Sequence, residues 1–130
     1  MVNLLVTGGS GNLARHVIET LLKNYPQHKI FTTTRSPEKL SDLTSRGVEA
    51  RKADFSDETN LSNAFTGIDR VLLVSVSAMG PGERPKYETA AIRAASAAGV
   101  KHITYTSVEG ATKDSVVVLG RGMLQLFFAL

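Results

Sequence analysis

The residues whose types and spacing could do chemistry begin with Val6-Thr7-Gly8-Gly9-Ser10-Gly11-Asn12-Leu13-Ala14. Small residues at Gly8-x-x-Gly11-x-x-Ala14, between an apolar run and a helical pattern, suit the binding of an anion. The first backbone N–H groups of a helix lack intrahelical partners, and the macrodipole adds partial positive charge there. A phosphate answers both. Glycine at positions 8 and 11 permits backbone angles closed to other residues and lets the chain approach a pyrophosphate with no Cβ between. The spacing departs from G-x-G-x-x-G, and the alternative reading is a glycine turn that merely joins strand to helix. No Gly-Lys-Ser/Thr follows, which excludes a P-loop.

The elements around this stretch alternate. Val2 and residues 4–6 read as a short buried strand, and Leu13, Ala14, Val17, Ile18, Leu21 and Leu22 recur at helical spacing. That helix ends near Asn24-Tyr25-Pro26. Lys29 to Arg35 is a second strand, rich in β-branched and aromatic residues. Ser36-Pro37-Glu38 predicts a helix start with Ser as N-cap, running through Leu40 and Leu43 and closed by Gly47. Val48 to Ala53 is strand three; Asp57-Glu58-Thr59 opens a helix with Leu61, Ala64 and Phe65 inward and Gly67 beyond. Residues 71–74 form a continuous apolar run, the mark of a parallel strand covered on both faces. A loop through Gly80, Pro81 and Gly82 precedes an alanine-rich helix that starts at Pro85 and stops at Gly99, and Val100 to Thr106 is strand five. The alternation predicts an α/β fold, a doubly wound parallel sheet of about five strands with right-handed crossovers.

In such a sheet ligands bind beyond the carboxyl ends of the strands. Those ends are Gly8, Arg35, Asp54, Ser75 to Ser77, and Tyr105 to Ser107. An acid at the end of strand two would bind a ribose 2′-OH; Arg35 stands there instead, and a guanidinium suits a 2′-phosphate, which reads as NADP rather than NAD. An ordinary exposed arginine is the alternative. Asp54 and Phe55 are placed to meet an adenine amino group and cover its ring, although Asp after a strand is also a common turn former.

Bulk properties bound the rest. One domain fits 130 residues, with 42% apolar and 21% charged side chains. The absence of cysteine removes disulfides, thiol catalysis and thiolate metal sites. His16, His28 and His102 lack a paired-ligand spacing, so no metal is expected. The formal charge of +3 and pI near 9.4 come from Lys and Arg spread along the chain, with no block that would bind nucleic acid. No secretory signal and no span of roughly 20 apolar residues is visible, so a soluble cytoplasmic protein is the expectation.

Together, residues 7–14, Thr34-Arg35-Ser36-Pro37, Ala53-Asp54-Phe55, Leu72 to Ser77, residues 97–102 and Tyr105-Thr106-Ser107 resemble the atypical short-chain dehydrogenase group. Its NmrA-like members, including NAD(P)H:quinone oxidoreductases of the second type and triphenylmethane reductases, are most similar. The resemblance covers residues 2 to roughly 115 and implies an NAD(P)-binding Rossmann domain over 1–115, truncated relative to the family. It implies NADPH on Gly8, Gly9, Ser10, Gly11, Asn12 and Leu13, with Arg35 on the 2′-phosphate and Asp54 and Phe55 around adenine. Ser75, Val76, Ser77, Tyr105, Thr106 and Ser107 would flank the nicotinamide half.

Residues 116–130 form an almost wholly apolar tail that departs from the family's continuation, and its exposure would invite self-association. The Tyr-x-x-x-Lys pair of ordinary short-chain dehydrogenases is missing from the active-site side. Tyr25-Pro26-Gln27-His28-Lys29 fits that spacing but lies at the opposite edge of the sheet from the glycine turn. The resemblance implies hydride transfer from NADPH to a quinone-like acceptor. A non-catalytic dinucleotide-binding redox sensor and an inactive truncated fragment are the alternatives.

Overall fold

The computed structural model describes residues 1–57, 61–74 and 83–106, with side chains from residue 86 onward in the last stretch. The expected contacts of Ser75, Val76, Ser77 and Ser107, the loop at 80–82, the helix start at Glu58-Thr59 and the tail at 116–130 lie outside the described residues. Five strands, β1 (Asn3–Val6), β2 (Lys29–Thr34), β3 (Glu49–Lys52), β4 (Arg70–Leu73) and β5 (His102–Tyr105), form one sheet in the order β3-β2-β1-β4-β5. Every described pairing is parallel. Between them run α1 (Asn12–Asn24), a 3-10 turn (Pro37–Leu40) leading into the single turn α2 (Ser41–Thr44), α3 (Leu61–Ala64) and α4 (Glu83–Ala97).

Alternation along the strands builds a core on each face of the sheet. Leu5, Phe31, Val71 and Leu73 meet Ala64, Phe65, Ala91, Ile92 and Ala95 on the α3–α4 side. The neighbouring strand positions Val6 and Ile30 meet Ala14, Ile18, Leu40 and Leu43 on the α1–α2 side. Burial on both faces explains why the strands read as apolar runs rather than as alternating ones.

The edge strand β3 is charged instead, as exposed edges often are. Arg51 pairs with Glu49, lies 4.5 Å from the Phe31 ring centroid, and donates from Nη1 to the carbonyls of Ala64 and Thr66 at 3.1 and 2.7 Å. One side chain thus covers a core aromatic and closes the carboxyl end of α3. Glu49 also pairs with Lys29, and the Arg51 hydrogen bond, the larger influence, holds its carboxyl below the usual range.

The expected helix after Arg35 is shorter than the sequence suggested. Ser36 makes no side-chain cap, and the segment closes as a 3-10 turn and then one α turn. Ser36 does occupy the N-cap position ahead of Pro37, as expected, but without a capping bond from its hydroxyl. The Ser36 N–H instead donates to the Thr34 hydroxyl at 3.2 Å, which holds the chain in a local turn and leaves Pro37 to open the next. The alanine-rich helix likewise starts at Glu83, with Pro85 inside its first turn, where a missing N–H costs no intrahelical bond.

Phe65 is completely buried in the α3–α4 core. Phe65→Ala is expected to cost about 3–5 kcal/mol in urea unfolding. Lys101→Ala, at an exposed ion pair with Asp69, should change stability by less than about 0.5 kcal/mol.

Candidate functional site

The parallel register places Val6 opposite both Thr32 and Leu72, and Leu72 opposite Thr104, so the carboxyl ends of β1, β2, β4 and β5 finish side by side. The chain runs outward from β1 through β2 to β3, then returns to β4 on the other side of β1. That reversal opens a crevice between the exits of β1 and β4. Thr7, fully buried, spans it: its N–H donates to the Leu72 carbonyl at 3.1 Å, and its hydroxyl accepts the Val74 N–H at 2.8 Å.

Beside the crevice, the threonine run of β2 holds the glycine turn. Thr32 donates its hydroxyl to the Val6 carbonyl at 2.7 Å. Thr33 accepts the Gly8 N–H on its hydroxyl at 3.3 Å and the Gly9 N–H on its carbonyl at 2.9 Å. The Thr34 and Ser10 hydroxyls are 3.1 Å apart. Gly8 has φ +71°, a left-handed conformation that favours glycine.

Two glycine roles differ from expectation. Gly11 has φ −85° and ψ 159°, extended backbone open to any residue, so its conformation does not demand glycine. Gly9, buried below the turn, does the steric work: a Cβ there would lie 2.3 Å from the Thr32 hydroxyl and 3.0 Å from Leu40. Its backbone is part of the support and does not line the cleft.

At the start of α1, Gly11 offers no side-chain cap and the first turn contains no acid. The first helical N–H groups are thus left without a side-chain partner at the mouth of a cleft of about 580 Å³. Gly8, Ser10, Gly11, Asn12 and Leu13 form its near wall. Leu13, one of the apolar positions of the helical pattern, is 51% exposed here and faces the cleft rather than the core. Arg35 lines it from the end of β2; Asp54, Phe55 and Ser56 line it beyond β3. Asp54 accepts the Ser56 N–H at 2.9 Å and the Ser56 hydroxyl at 2.6 Å on one oxygen. Those bonds, with a smaller contribution from the Arg35 charge, hold its carboxyl below the usual 3.8. It stays ionised at neutral pH.

Ala14, Thr33, Thr34, Ala53, Val74 and Tyr87 complete the lining. Val74, Tyr87 and the threonines of β2 did not stand out as site residues in the sequence. A usable signal was present for Tyr87, a lone aromatic in the polar first half of the helix that follows β4. Tyr105 and Thr106 stand at the carboxyl end of β5 as expected, but the structure does not bring them into this cleft. Tyr105 pairs in register with Leu73 and packs against the α3–α4 core, and the Thr106 N–H donates to the Leu73 carbonyl. Tyr25 and Lys29 lie at the other end of the sheet, where Lys29 pairs with Asn3 at the start of β1 and Tyr25 stacks on His28. A second hollow, beside Glu19, Lys23 and Arg46, touches no strand end, and Arg46 is already paired there with Glu19. Among the described residues no cluster of His, Asp or Glu could hold a metal, and no helix is long and apolar enough to cross a membrane.

This geometry can take an elongated anion whose phosphates meet the turn and whose other end meets Arg35, Asp54 and Phe55. If the Thr32 contact is what demands glycine, Gly9→Ala should cost about 1–3 kcal/mol in thermal unfolding and Gly11→Ala less; equal losses would refute that reading. The Asp54 carboxyl, depressed when folded, contributes stability that is complete above its ordinary 3.8 and lost as pH falls through the lower folded value. Asp54→Asn should therefore flatten the acid limb of a stability-against-pH curve below about pH 4.

A solved Citrobacter sp. triphenylmethane reductase complexed with NADP(H) superposes with a TM-score of 0.91 at 32% identity, over 98% of this chain and 44% of that one. Quinone oxidoreductase 2 of Escherichia coli (strain K12) is 40% identical over 105 residues, 81% of this chain and 36% of the relative. An NmrA-like family domain-containing oxidoreductase of Aspergillus flavus is 32% identical over 124 residues, 92% of this chain and 40% of the relative. The chain therefore spans less than half the length of these proteins. The sequence model of the NAD(P)H-binding family matches residues 8–128, and the chain belongs to that family.

Proposed function

We propose that this chain forms the NADP(H)-binding part of a reductase that passes hydride to quinones or similar conjugated acceptors. The observation that carries the reading is the pairing of an uncapped helix start at the glycine turn with Arg35, not an acid, at the end of β2. The turn offers backbone N–H groups to the pyrophosphate, and the Ser10 hydroxyl, beside Thr34, faces the cleft toward Arg35. Arg35 offers a planar fork to a 2′-phosphate. Phe55, half-buried, gives an apolar surface for the adenine, and ionised Asp54 an acceptor for its amino group. Hydride from the reduced nicotinamide is the chemistry the bound cofactor supplies. The protein's task is placement, so the missing Tyr-x-x-x-Lys pair is no obstacle when the acceptor is a quinone. Support for that acceptor class comes from the quinone oxidoreductase and NmrA-like oxidoreductase relatives.

Calorimetric titration of the purified chain with NADPH and NADH tests the cofactor assignment. NADPH should bind roughly ten- to hundredfold tighter, the scale of a charge-assisted pair, and Arg35→Asp should abolish that preference. Equal affinities, or a preference that survives the substitution, would refute it. NADPH oxidation with a quinone panel then separates the reductase from the other two readings: turnover supports the reductase, and tight binding without turnover supports a dinucleotide sensor or a cofactor-binding fragment without an acceptor pocket.

A further inference from the structure

We propose that Thr34 determines cofactor specificity as a positioning residue, its one hydroxyl setting both the Ser10 hydroxyl and the backbone around Arg35 for a 2′-phosphorylated dinucleotide. This rests on the reading of Arg35 given above.

Thr34 ends β2 and lines the floor of the cleft, with 6% of its surface exposed. Its Oγ1 accepts the Ser36 N–H at 3.2 Å and lies 3.1 Å from Ser10 Oγ. A hydroxyl has one proton and two lone pairs. With one lone pair taken by Ser36, Thr34 can donate its proton to Ser10, which frees the Ser10 proton for the cleft. The reverse direction would spend the Ser10 proton inside the protein. A fully ionised phosphate oxygen only accepts, so an anion in the cleft selects the first arrangement.

The same oxygen, through Ser36, closes a two-residue turn around Arg35 and fixes the backbone on both sides of it. The glycine turn and the pairing of β2 with β3 do not rest on this hydroxyl. Gly8 and Gly9 are held by Thr33, Val6 is held by Thr32, and the bond from the Ala53 N–H goes to the Thr34 carbonyl.

The test titrates the full chain with NADPH and NADH by calorimetry, as wild type, Thr34→Val, Thr34→Ser and Arg35→Ala, with circular dichroism to confirm folding. Valine keeps the β-branched shape and removes the hydroxyl; serine keeps the hydroxyl. Thr34→Val should weaken NADPH about tenfold and NADH threefold or less, while Thr34→Ser stays within threefold of wild type for both. An equal loss for both nucleotides, no loss, or a serine variant as weak as valine would overturn the proposal. Arg35→Ala separates the two levels. If it leaves the NADPH preference intact, the reading of Arg35 fails and takes this proposal with it. If it erases the preference while Thr34→Val does not, only the role of Thr34 fails. Should Thr34→Val not fold, Ser10→Ala decides: a selective loss of NADPH affinity supports the proposal, and unchanged binding overturns it.

Discussion

Where parallel strands stop together, the backbone groups leaving the ladder must find other partners, and the way they do so here governs the rest of the molecule. Side-chain hydroxyls are those partners. Thr7 takes up the Val74 N–H, Thr33 the Gly8 N–H, Thr34 the Ser36 N–H, and Thr32 satisfies the Val6 carbonyl. Each hydroxyl is buried near a strand end, so the chain can leave three neighbouring strands, β1, β2 and β4, without orphaning these polar groups. The crevice exists because those exits are held open by short side chains rather than filled by large ones.

This arrangement divides labour between what touches a ligand and what holds the contact in place. Gly8, Ser10 and Arg35 face the cleft, whereas Gly9, Thr7 and Thr32 lie beneath it. The lower group has little freedom: Gly9 has no room for a methyl group, and each threonine answers a specific backbone atom. A site supported in this way is rigid before anything binds, which lowers the ordering cost of association.

The fold was legible because strand and helix periodicities are strong in a sheet buried on both faces; the apolar runs at 4–6 and 71–73 were recognisable on that ground alone. Gly8, Arg35 and Asp54 were legible as strand-end residues, and Ser10 as part of the glycine turn. The supporting threonines were not, since a β-branched run predicts a strand and says nothing about which carbonyl a hydroxyl meets 26 residues away. Gly11 was misjudged in conformation for a related reason: a glycine spacing records where side chains are absent, while the cause at each position, a left-handed φ at Gly8 or a close neighbour at Gly9, is set by tertiary contact. Ser36 stands at the N-cap position ahead of Pro37, as its neighbours favoured, and only the capping bond from its side chain is missing.

The bare start of α1 has a consequence for handling the protein. With neither a capping side chain nor a first-turn acid, the helix end is an unfilled demand for negative charge that dissolved ions can answer. Sulfate or inorganic phosphate that occupies it stabilises the folded chain in proportion to RT ln(1 + [L]/Kd). The buffer thus becomes a thermodynamic component of the unliganded protein, and a melting temperature taken in phosphate is not interchangeable with one taken in a zwitterionic amine.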